Sequence, residues 1–174
     1  MQGVQVPHIS NAKAARDAVQ AVRYAPLGDR GMAGASRASD YGTISMPDHI
    51  AQSNREITLA VMVEDLPALD EIDAIATTDG IDIVAVGPSD MSRALGVAGT
   101  SDHPKLRAAI DRVAKAVRKG GARLALPMSH PTFPRDAAQL RALGVGYTNC
   151  APAPEVRMLK SMQAQVAEAR KLLG

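Results

Sequence analysis

Residues 81–90 of the chain read IDIVAVGPSD, an apolar run that leads through a Gly-Pro turn to a carboxylate. Residues 57–64, ITLAVMVE, repeat the arrangement, with an apolar run that also ends in a carboxylate. Near-continuous apolar runs of this length are typical of strands that are buried on both faces of a parallel sheet. The two segments therefore predict two consecutive parallel strands, each followed at its carboxyl end by an acidic side chain.

Further apolar runs and helical patterns surround this pair of segments. We predict strands over residues 4–8, 57–64, 81–87, 123–126 and 145–149. We predict helices over residues 12–24, 47–55, 67–77, 104–119, 135–143 and 154–173, and a short helical turn after residue 87. Strands that alternate with helices imply an α/β fold with right-handed crossovers and a parallel sheet. A doubly wound open sheet and a (β/α) barrel both satisfy this pattern, and both bind ligands at the carboxyl ends of their strands.

The composition is that of an ordinary globular protein. The chain has 174 residues, of which 46% are hydrophobic and 22% charged, so we expect a single domain over residues 1–174, or an incomplete larger one. The net charge of +2 is too balanced for a nucleic-acid binder, and an aromatic content of 2% is too low for base stacking. No apolar run reaches the roughly 20 residues that span a membrane.

The start of the chain and its cysteine content indicate a cellular compartment. No charged segment precedes an apolar run at the start, so no signal peptide is expected. The single cysteine, Cys150, excludes an internal disulfide and fits a reducing cytoplasm.

Glu64 and Asp90 are the main candidates for chemistry. Because consecutive parallel strands are usually neighbours about 4.8 Å apart, we expect the two carboxylates to meet at one edge of the sheet. Two close carboxylates repel each other unless a proton or a cation lies between them, and hard oxygen ligands suit Mg²⁺ or Mn²⁺. In the structural alternative, Glu64 caps the following helix and Asp90 is an N-cap. The spacing alone leaves both interpretations open.

The turn at residues 87–90 adds a candidate anion site. Gly87 lets a ligand approach the backbone, and the N–H groups of Ser89 and Asp90 open a helical turn, where an anion is favoured. A metal beside such N–H groups describes a site for a 2-keto acid, in which the metal chelates the keto oxygen and the amides hold the carboxylate. We expect these residues, with Pro88 and with Leu126 at the end of the fourth strand, to contact the substrate.

Four segments resemble the HpcH/HpaI aldolase/citrate lyase family. They are residues 61–64 (VMVE), 80–92 (GIDIVAVGPSDMS), 23–31 (RYAPLGDRG) and 4–7 (VQVP), and the resemblance covers essentially the whole chain. It implies a partial TIM barrel whose five parallel strands correspond to barrel strands 4–8. It also implies a metal-dependent, class II 2-keto acid aldolase, a carbon–carbon lyase that forms or cleaves 4-hydroxy-2-keto acids through a pyruvate enolate.

The resemblance assigns roles to individual residues. Glu64 and Asp90 match the metal ligands of the family, for Mg²⁺ or Mn²⁺, with Co²⁺ as a further candidate. The amides of Ser89 and Asp90 match the positions that hold the pyruvate carboxylate. The implied partners are a pyruvate-like 2-keto acid and an aldehyde.

The chain departs from the family in two respects. It starts where the fourth barrel strand is expected, so the general-base His of the family, the Asp paired with it and an Arg that steadies the enolate have no match. Met62 stands where these aldolases usually place a Gln that contacts the keto acid. General acid–base help is commonly worth about 10²–10⁴-fold, so a second hypothesis is a catalytically impaired protein that binds metal and keto acid. A third hypothesis, a doubly wound domain that binds a phosphorylated ligand through residues 87–89, ranks last because the chain has no Gly-x-Gly-x-x-Gly or P-loop pattern.

Other side chains are weaker candidates. His8 could act as a substitute base and His130 could line the aldehyde pocket, although a structural role is the simpler interpretation of each. His49 and His103, at polar helix starts, are expected to be solvated. Cys150 is expected to be a small buried apolar residue rather than a nucleophile.

The open edges of a partial barrel indicate that the protein forms an oligomer. Five of the eight strands of a barrel cannot close, so two edge strands would expose unpaired backbone groups. We therefore predict a homo-oligomer, and the family's habit of exchanging C-terminal helices makes the helix over residues 154–173 the first candidate for the contact. Met158 and Met162 share one face of this helix, which predicts a core or interface position. Arg30, in the Gly-rich loop, is expected to support the site, a subunit contact or an ordinary ion pair.

Overall fold

The computed structural model describes residues 2–149 and 153–173. Its strands are β1 (Gly3–Val6), β2 (Thr58–Val63), β3 (Ile83–Val86), β4 (Arg123–Ala125) and β5 (Val145–Tyr147). Its helices are α1 (Ala12–Val22), α2 (Met46–Glu56), α3 (Leu66–Asp70), α4 (Ile72–Ala76), α5 (Pro88–Ala94), α6 (Pro104–Val117), α7 (Ala137–Ala142) and α8 (Pro154–Leu173), and a 3₁₀ segment covers Arg37–Gly42.

The strands form one parallel sheet in the order β1-β2-β3-β4-β5. A doubly wound sheet changes direction at a switch point, so its spatial order departs from its chain order. This sheet has no such reversal, and strands that follow one another around the sheet are the arrangement of a (β/α) barrel. The prediction of a partial TIM barrel with five parallel strands is confirmed.

Helices pack against one face of the sheet. Val61, Val63 and Val84 point to this outer face and join a large apolar core with side chains from α1, α3, α4 and α6. The opposite face carries a small cluster made only of strand residues: Ala60, Ile83, Ala85 and Ala125, with Met62 packed against it. Helices outside and small strand side chains inside are the layering expected of a barrel wall.

The two-residue period of a strand determines which side chains point to the inner face. Ala60 and Met62 lie on that face, and Glu64 continues the alternation just beyond the end of β2. In the same way Gly87 continues the series of Ile83 and Ala85 beyond the end of β3. The fold therefore places the ends of both segments on the inner side of the sheet.

The predicted helix over residues 67–77 is wrong in one respect, because it is two helices, α3 and α4, that meet at Glu71. Glu71 has φ −101° and ψ 13°, which interrupts the helical backbone. Its carboxylate accepts a hydrogen bond of 2.9 Å from the N–H of Ala12 at the start of α1. This contact joins residues far apart in the chain, so the apolar periodicity does not reveal it.

The predicted solvation of His49 is also wrong. The residue is 4% exposed, and its ring packs edge-on against Tyr24 with 5.8 Å between ring centroids. The guanidinium of Arg30 stacks on the ring of Tyr24, 4.6 Å from the ring centroid. The segment around α2 is thus held by aromatic packing.

His103, the N-cap of α6, is half-buried.

The side chains of Met158 and Met162 on α8 are 63% and 56% exposed, so the expectation of a core position is wrong for both. Their alternative role, in an interface, stays a prediction. Cys150 lies outside the residues that the structure describes. In residues 2–149 and 153–173, no helix is both long enough and apolar enough to cross a membrane.

Candidate active site

A cavity of about 320 Å³ lies at the carboxyl ends of the strands, where barrels place their ligands. It brings together seven of the eight predicted site residues, which are Glu64, Gly87, Pro88, Ser89, Asp90, Leu126 and His130. His8 is not among the lining residues, but it contacts Glu64 directly. The sequence-based selection therefore corresponds to one place in the fold.

The carboxylate of Glu64 is buried yet open to the cavity on one side. The residue is only 4% exposed. Its Oε1 accepts a hydrogen bond of 2.9 Å from the backbone N–H of His8, and His8 Nδ1 lies 3.1 Å from the same oxygen. Within the described part of the chain, Oε2 accepts no hydrogen bond, and no fully buried side-chain oxygen lacks a partner. Oε2 is therefore accessible from the cavity and free to bind a ligand.

Gly87 allows this carboxylate to lie against the backbone. A Cβ added at Gly87 would lie 2.5 Å from Glu64 Oε2 and 3.3 Å from Met62 Sδ. The glycine has φ −91°, so its backbone conformation is open to any residue. The close approach of Glu64, rather than a turn, is what requires glycine at this position.

The structural alternatives for the two carboxylates are wrong. The N-cap of α3 is Asp65, whose side chain accepts from Ala68 N–H at 2.8 Å, so Glu64 has no capping role. The N-cap of α5 is Gly87, and Asp90 is the third residue of that helix. Asp90 is half-exposed and lines the cavity, and among the described residues its side chain has one weak partner, Arg93 Nε at 3.3 Å. Both carboxylates are thus left available for a ligand.

The start of α5 lies at the same cavity. Pro88 occupies the first helical position, where its missing N–H costs nothing. The N–H groups of Ser89 and Asp90 belong to the first turn, which has no intrahelical acceptors. Both residues line the same cavity as Glu64.

His130 lines the cavity next to Ser89, in the segment that follows β4. Its Nε2 is 3.5 Å from Ser89 Oγ, and its Nδ1 accepts from Thr132 N–H at 3.2 Å. That hydrogen bond places the proton of the neutral ring on Nε2. Partial burial lowers the pKa of His130 below the ordinary value, which favours this neutral form.

The donor set fits a hard divalent cation that keeps most of its water. Such cations take one or two carboxylates from the protein and complete their coordination with water and substrate oxygens. Glu64 Oε2 and the Asp90 carboxylate supply that number of ligands. In residues 2–149 and 153–173 no cluster of three or more His, Cys, Asp or Glu side chains could hold a metal, so a site built wholly from protein ligands is not found there.

Among the lining residues that sequence reasoning did not select as site residues, four carry polar side chains: Gln5, Tyr147, Thr148 and Asn149. Gln5 follows from the two-residue period of β1, since that strand pairs with β2 in parallel register. The other three follow from the rule that ligands bind at carboxyl strand ends, applied to β5. The strand periodicity and the strand ends therefore indicate these residues, although no sequence motif marks them.

Two sequence comparisons relate this chain to aldolases. A model of the HpcH/HpaI aldolase/citrate lyase family matches residues 1–153. A 5-keto-4-deoxy-D-glucarate aldolase of Klebsiella pneumoniae is 36% identical over 166 residues, which are 95% of this chain and 62% of that protein.

Solved structures agree with this family at the level of the backbone. An HpcH/HpaI aldolase/citrate lyase family protein from Burkholderia cenocepacia superposes with a TM-score of 0.83 at 28% identity, over 97% of this chain and 65% of that one. An HpcH/HpaI aldolase from Desulfitobacterium hafniense gives a TM-score of 0.81 at 26% identity, over 98% and 64%. The chain thus spans about three fifths of the length of the curated relatives it matches. By the match over residues 1–153, this chain belongs to the HpcH/HpaI aldolase/citrate lyase family.

Proposed function

We propose that the chain is the metal- and keto-acid-binding part of a class II aldolase, a carbon–carbon lyase for 4-hydroxy-2-keto acids. The single observation that carries this proposal is that Glu64, with its Oε2 open, and Asp90 line one cavity together with the start of α5. Membership of the family supports the same reaction class.

Glu64 and Asp90 would hold Mg²⁺ or Mn²⁺, with Co²⁺ as a further candidate. A bound divalent cation would polarise the keto group and stabilise the negative charge of a pyruvate enolate. The protein contributes the position of the two carboxylates. Glu64 is fixed by its two contacts to His8, and Asp90 is fixed by the first turn of α5.

The N–H groups of Ser89 and Asp90 would bind the carboxylate of a pyruvate-like 2-keto acid. Pro88 and Leu126 form apolar wall beside them, which excludes water from the bound acid. His130 adds a side-chain donor on the same wall, because its Nε2 proton lies near Ser89. An aldehyde would be the second partner of the reaction.

Met62 weakens the hold on the keto acid relative to the family pattern. Its side chain points into the cavity beside Glu64. A thioether accepts hydrogen bonds weakly and donates none, so it cannot orient a keto oxygen as a glutamine amide would. This observation favours a second candidate function, binding of metal and keto acid without turnover.

We further propose that the protein is a homo-oligomer that exchanges its last helix. Apolar side chains of α8 are widely exposed, among them Leu159 at 54% and Val166 at 51%. With Met162 they follow the spacing of three and four residues that aligns side chains on one face of a helix. An exposed stripe of this kind is typical of a surface that another subunit covers.

Calorimetry with Mn²⁺ and pyruvate tests the binding site. Glu64→Ala and Asp90→Ala should each abolish binding, while Asp111→Ala, which removes an exposed carboxylate from α6, should bind normally. If either site variant bound manganese like the parent protein, the assignment of the metal ligands would be refuted.

Pyruvate release tests turnover. The assay follows release from 4-hydroxy-2-keto acids and from 5-keto-4-deoxy-D-glucarate, the compound named for the Klebsiella relative. Release above background supports the lyase. Binding of pyruvate with no release supports the second candidate.

A further inference from the structure

The loop between β1 and α1 lies directly over the end of β2. The N–H of Ile9 donates to Met62 O at 3.0 Å, and Ser10 Oγ donates to the Asp65 carboxylate. These two hydrogen bonds tie the loop to the chain on either side of Glu64, at Met62 and at Asp65. It therefore has little freedom to move relative to that carboxylate.

His8 leads into these anchors and contacts Glu64 twice. Its backbone N–H and its Nδ1 lie 2.9 Å and 3.1 Å from the same oxygen, Glu64 Oε1. The residue has φ +54°, in the left-handed region that a side chain other than glycine rarely adopts. Such a conformation persists where the surroundings enforce it, and it is common at functional sites. Here it turns the backbone N–H and the imidazole toward one oxygen.

The two contacts determine which oxygen of Glu64 is available. Because Oε1 accepts the N–H of His8 and lies against its imidazole, rotation of the carboxylate would break the hydrogen bond and the ring contact. Oε2 is held on the cavity side, next to Gly87. A ligand held in this way binds a cation through one oxygen and at a defined point.

The same geometry argues against His8 as a general base. Its Nδ1 is already directed at Glu64, and its side chain is 64% exposed. His8 is also not among the described residues that line the cavity. A base must come within hydrogen-bond reach of the proton that it abstracts.

We propose that His8 is a positioning residue, which holds Glu64 Oε1 so that Oε2 alone faces the metal and the keto acid. This inference rests on the proposed function, because it takes Glu64 to be a metal ligand. Residues that orient a metal ligand typically change metal affinity by about 10–100-fold when they are replaced.

Three variants test this role by calorimetry with Mn²⁺ on the full chain. His8→Gly removes the imidazole but keeps the N–H, and glycine accepts the positive φ, so the fold is retained. It should raise the manganese Kd about 10-fold or more. His8→Asn, whose side-chain amide offers a donor near the position of Nδ1 and which tolerates this backbone region, should bind more tightly than the glycine variant. Ser10→Ala is the matched control, since it removes an anchor of the same loop without touching Glu64, and it should bind as the parent protein does.

The outcomes separate this inference from the proposed function. A parent protein that binds no manganese refutes both. A parent that binds it, with His8→Gly equal to the parent, refutes the positioning role alone. Equal losses in His8→Gly, His8→Asn and Ser10→Ala would also overturn it, because the loop would then matter only as structure.

Discussion

Replacement of Gly87 by alanine is a direct test of where the Glu64 carboxylate lies. The added Cβ would lie 2.5 Å from Glu64 Oε2, whereas ordinary contacts begin at 3.4 Å. Since φ is −91°, alanine introduces no backbone strain, and the whole effect falls on the side chains that face Gly87. Oε2 must therefore move by about 1 Å to relieve the overlap.

A displacement of this size is large on the scale of metal coordination. Ligand distances are held to within about 0.2 Å, and the two contacts of His8, one of them a hydrogen bond, oppose rotation of the carboxylate. Glu64 must either lose those contacts or leave the coordination point. We expect the manganese Kd of Gly87→Ala to rise at least 10–100-fold, the range for a disturbed ligand.

The effect on stability should be modest by comparison. Overpacking destabilises the folded state by about 1–3 kcal/mol. Alanine also lowers the conformational entropy of the unfolded chain, which stabilises the folded state by about 0.4–1 kcal/mol. The free energy of unfolding should therefore fall by no more than about 2.5 kcal/mol, which for a chain of this size lowers Tm by up to about 10 °C.

The assay is manganese calorimetry paired with thermal unfolding of the same samples. Gly121→Ala is the matched control, because nothing lies within 4 Å of a Cβ at that position. The control should keep the parent Kd and an equal or slightly higher Tm. If Gly87→Ala bound manganese as tightly as the control, Glu64 could not be the ligand that the structure places at this point.

Three further outcomes follow from other parts of the chain. Asp102→Asn removes the carboxylate that pairs with Arg135, and the hydrogen bond from Arg135 lowers the pKa of Asp102. The parent should therefore be more stable than the variant by up to about 1 kcal/mol at pH 7, and it should lose this advantage as the pH falls through the lowered pKa. Urea unfolding of both proteins at pH 7 and pH 3 measures the difference. His130→Ala should raise the pyruvate Kd by about 2–12-fold with the manganese Kd unchanged, and an unchanged pyruvate Kd would remove His130 from the site. The double change Leu159→Glu and Met162→Glu should convert an oligomer to a monomer of 18.2 kDa in light scattering, whereas a parent that is already monomeric would contradict the exchange of α8.

Features that depend on short-range pattern could be predicted from the sequence. The five strands follow from apolar runs, and the start of α1 follows from Asn11, whose side chain accepts from Ala14 N–H at 2.8 Å. The placement of Glu64 and Asp90 follows from the position of a carboxylate at the end of each of two consecutive parallel strands. Local chemistry and sheet topology agree at these points.

Features that depend on contacts between distant residues could not be predicted. The contact of His8 with Glu64 joins positions 56 residues apart and relies on a left-handed backbone that no motif announces. The burial of His49 depends on Tyr24, which lies in the loop after α1. The break at Glu71 depends on the start of α1. In each case a tertiary partner overrides what the local pattern indicates.

The central claim is that Glu64 and Asp90 share one divalent cation. Anomalous diffraction at the manganese edge, from crystals grown with Mn²⁺ and pyruvate, tests it most directly. We predict a single peak in direct coordination with Glu64 Oε2 and a carboxylate oxygen of Asp90, with His8 still on Oε1. A peak at any other place, or an ion held by only one of the two carboxylates, would contradict the account.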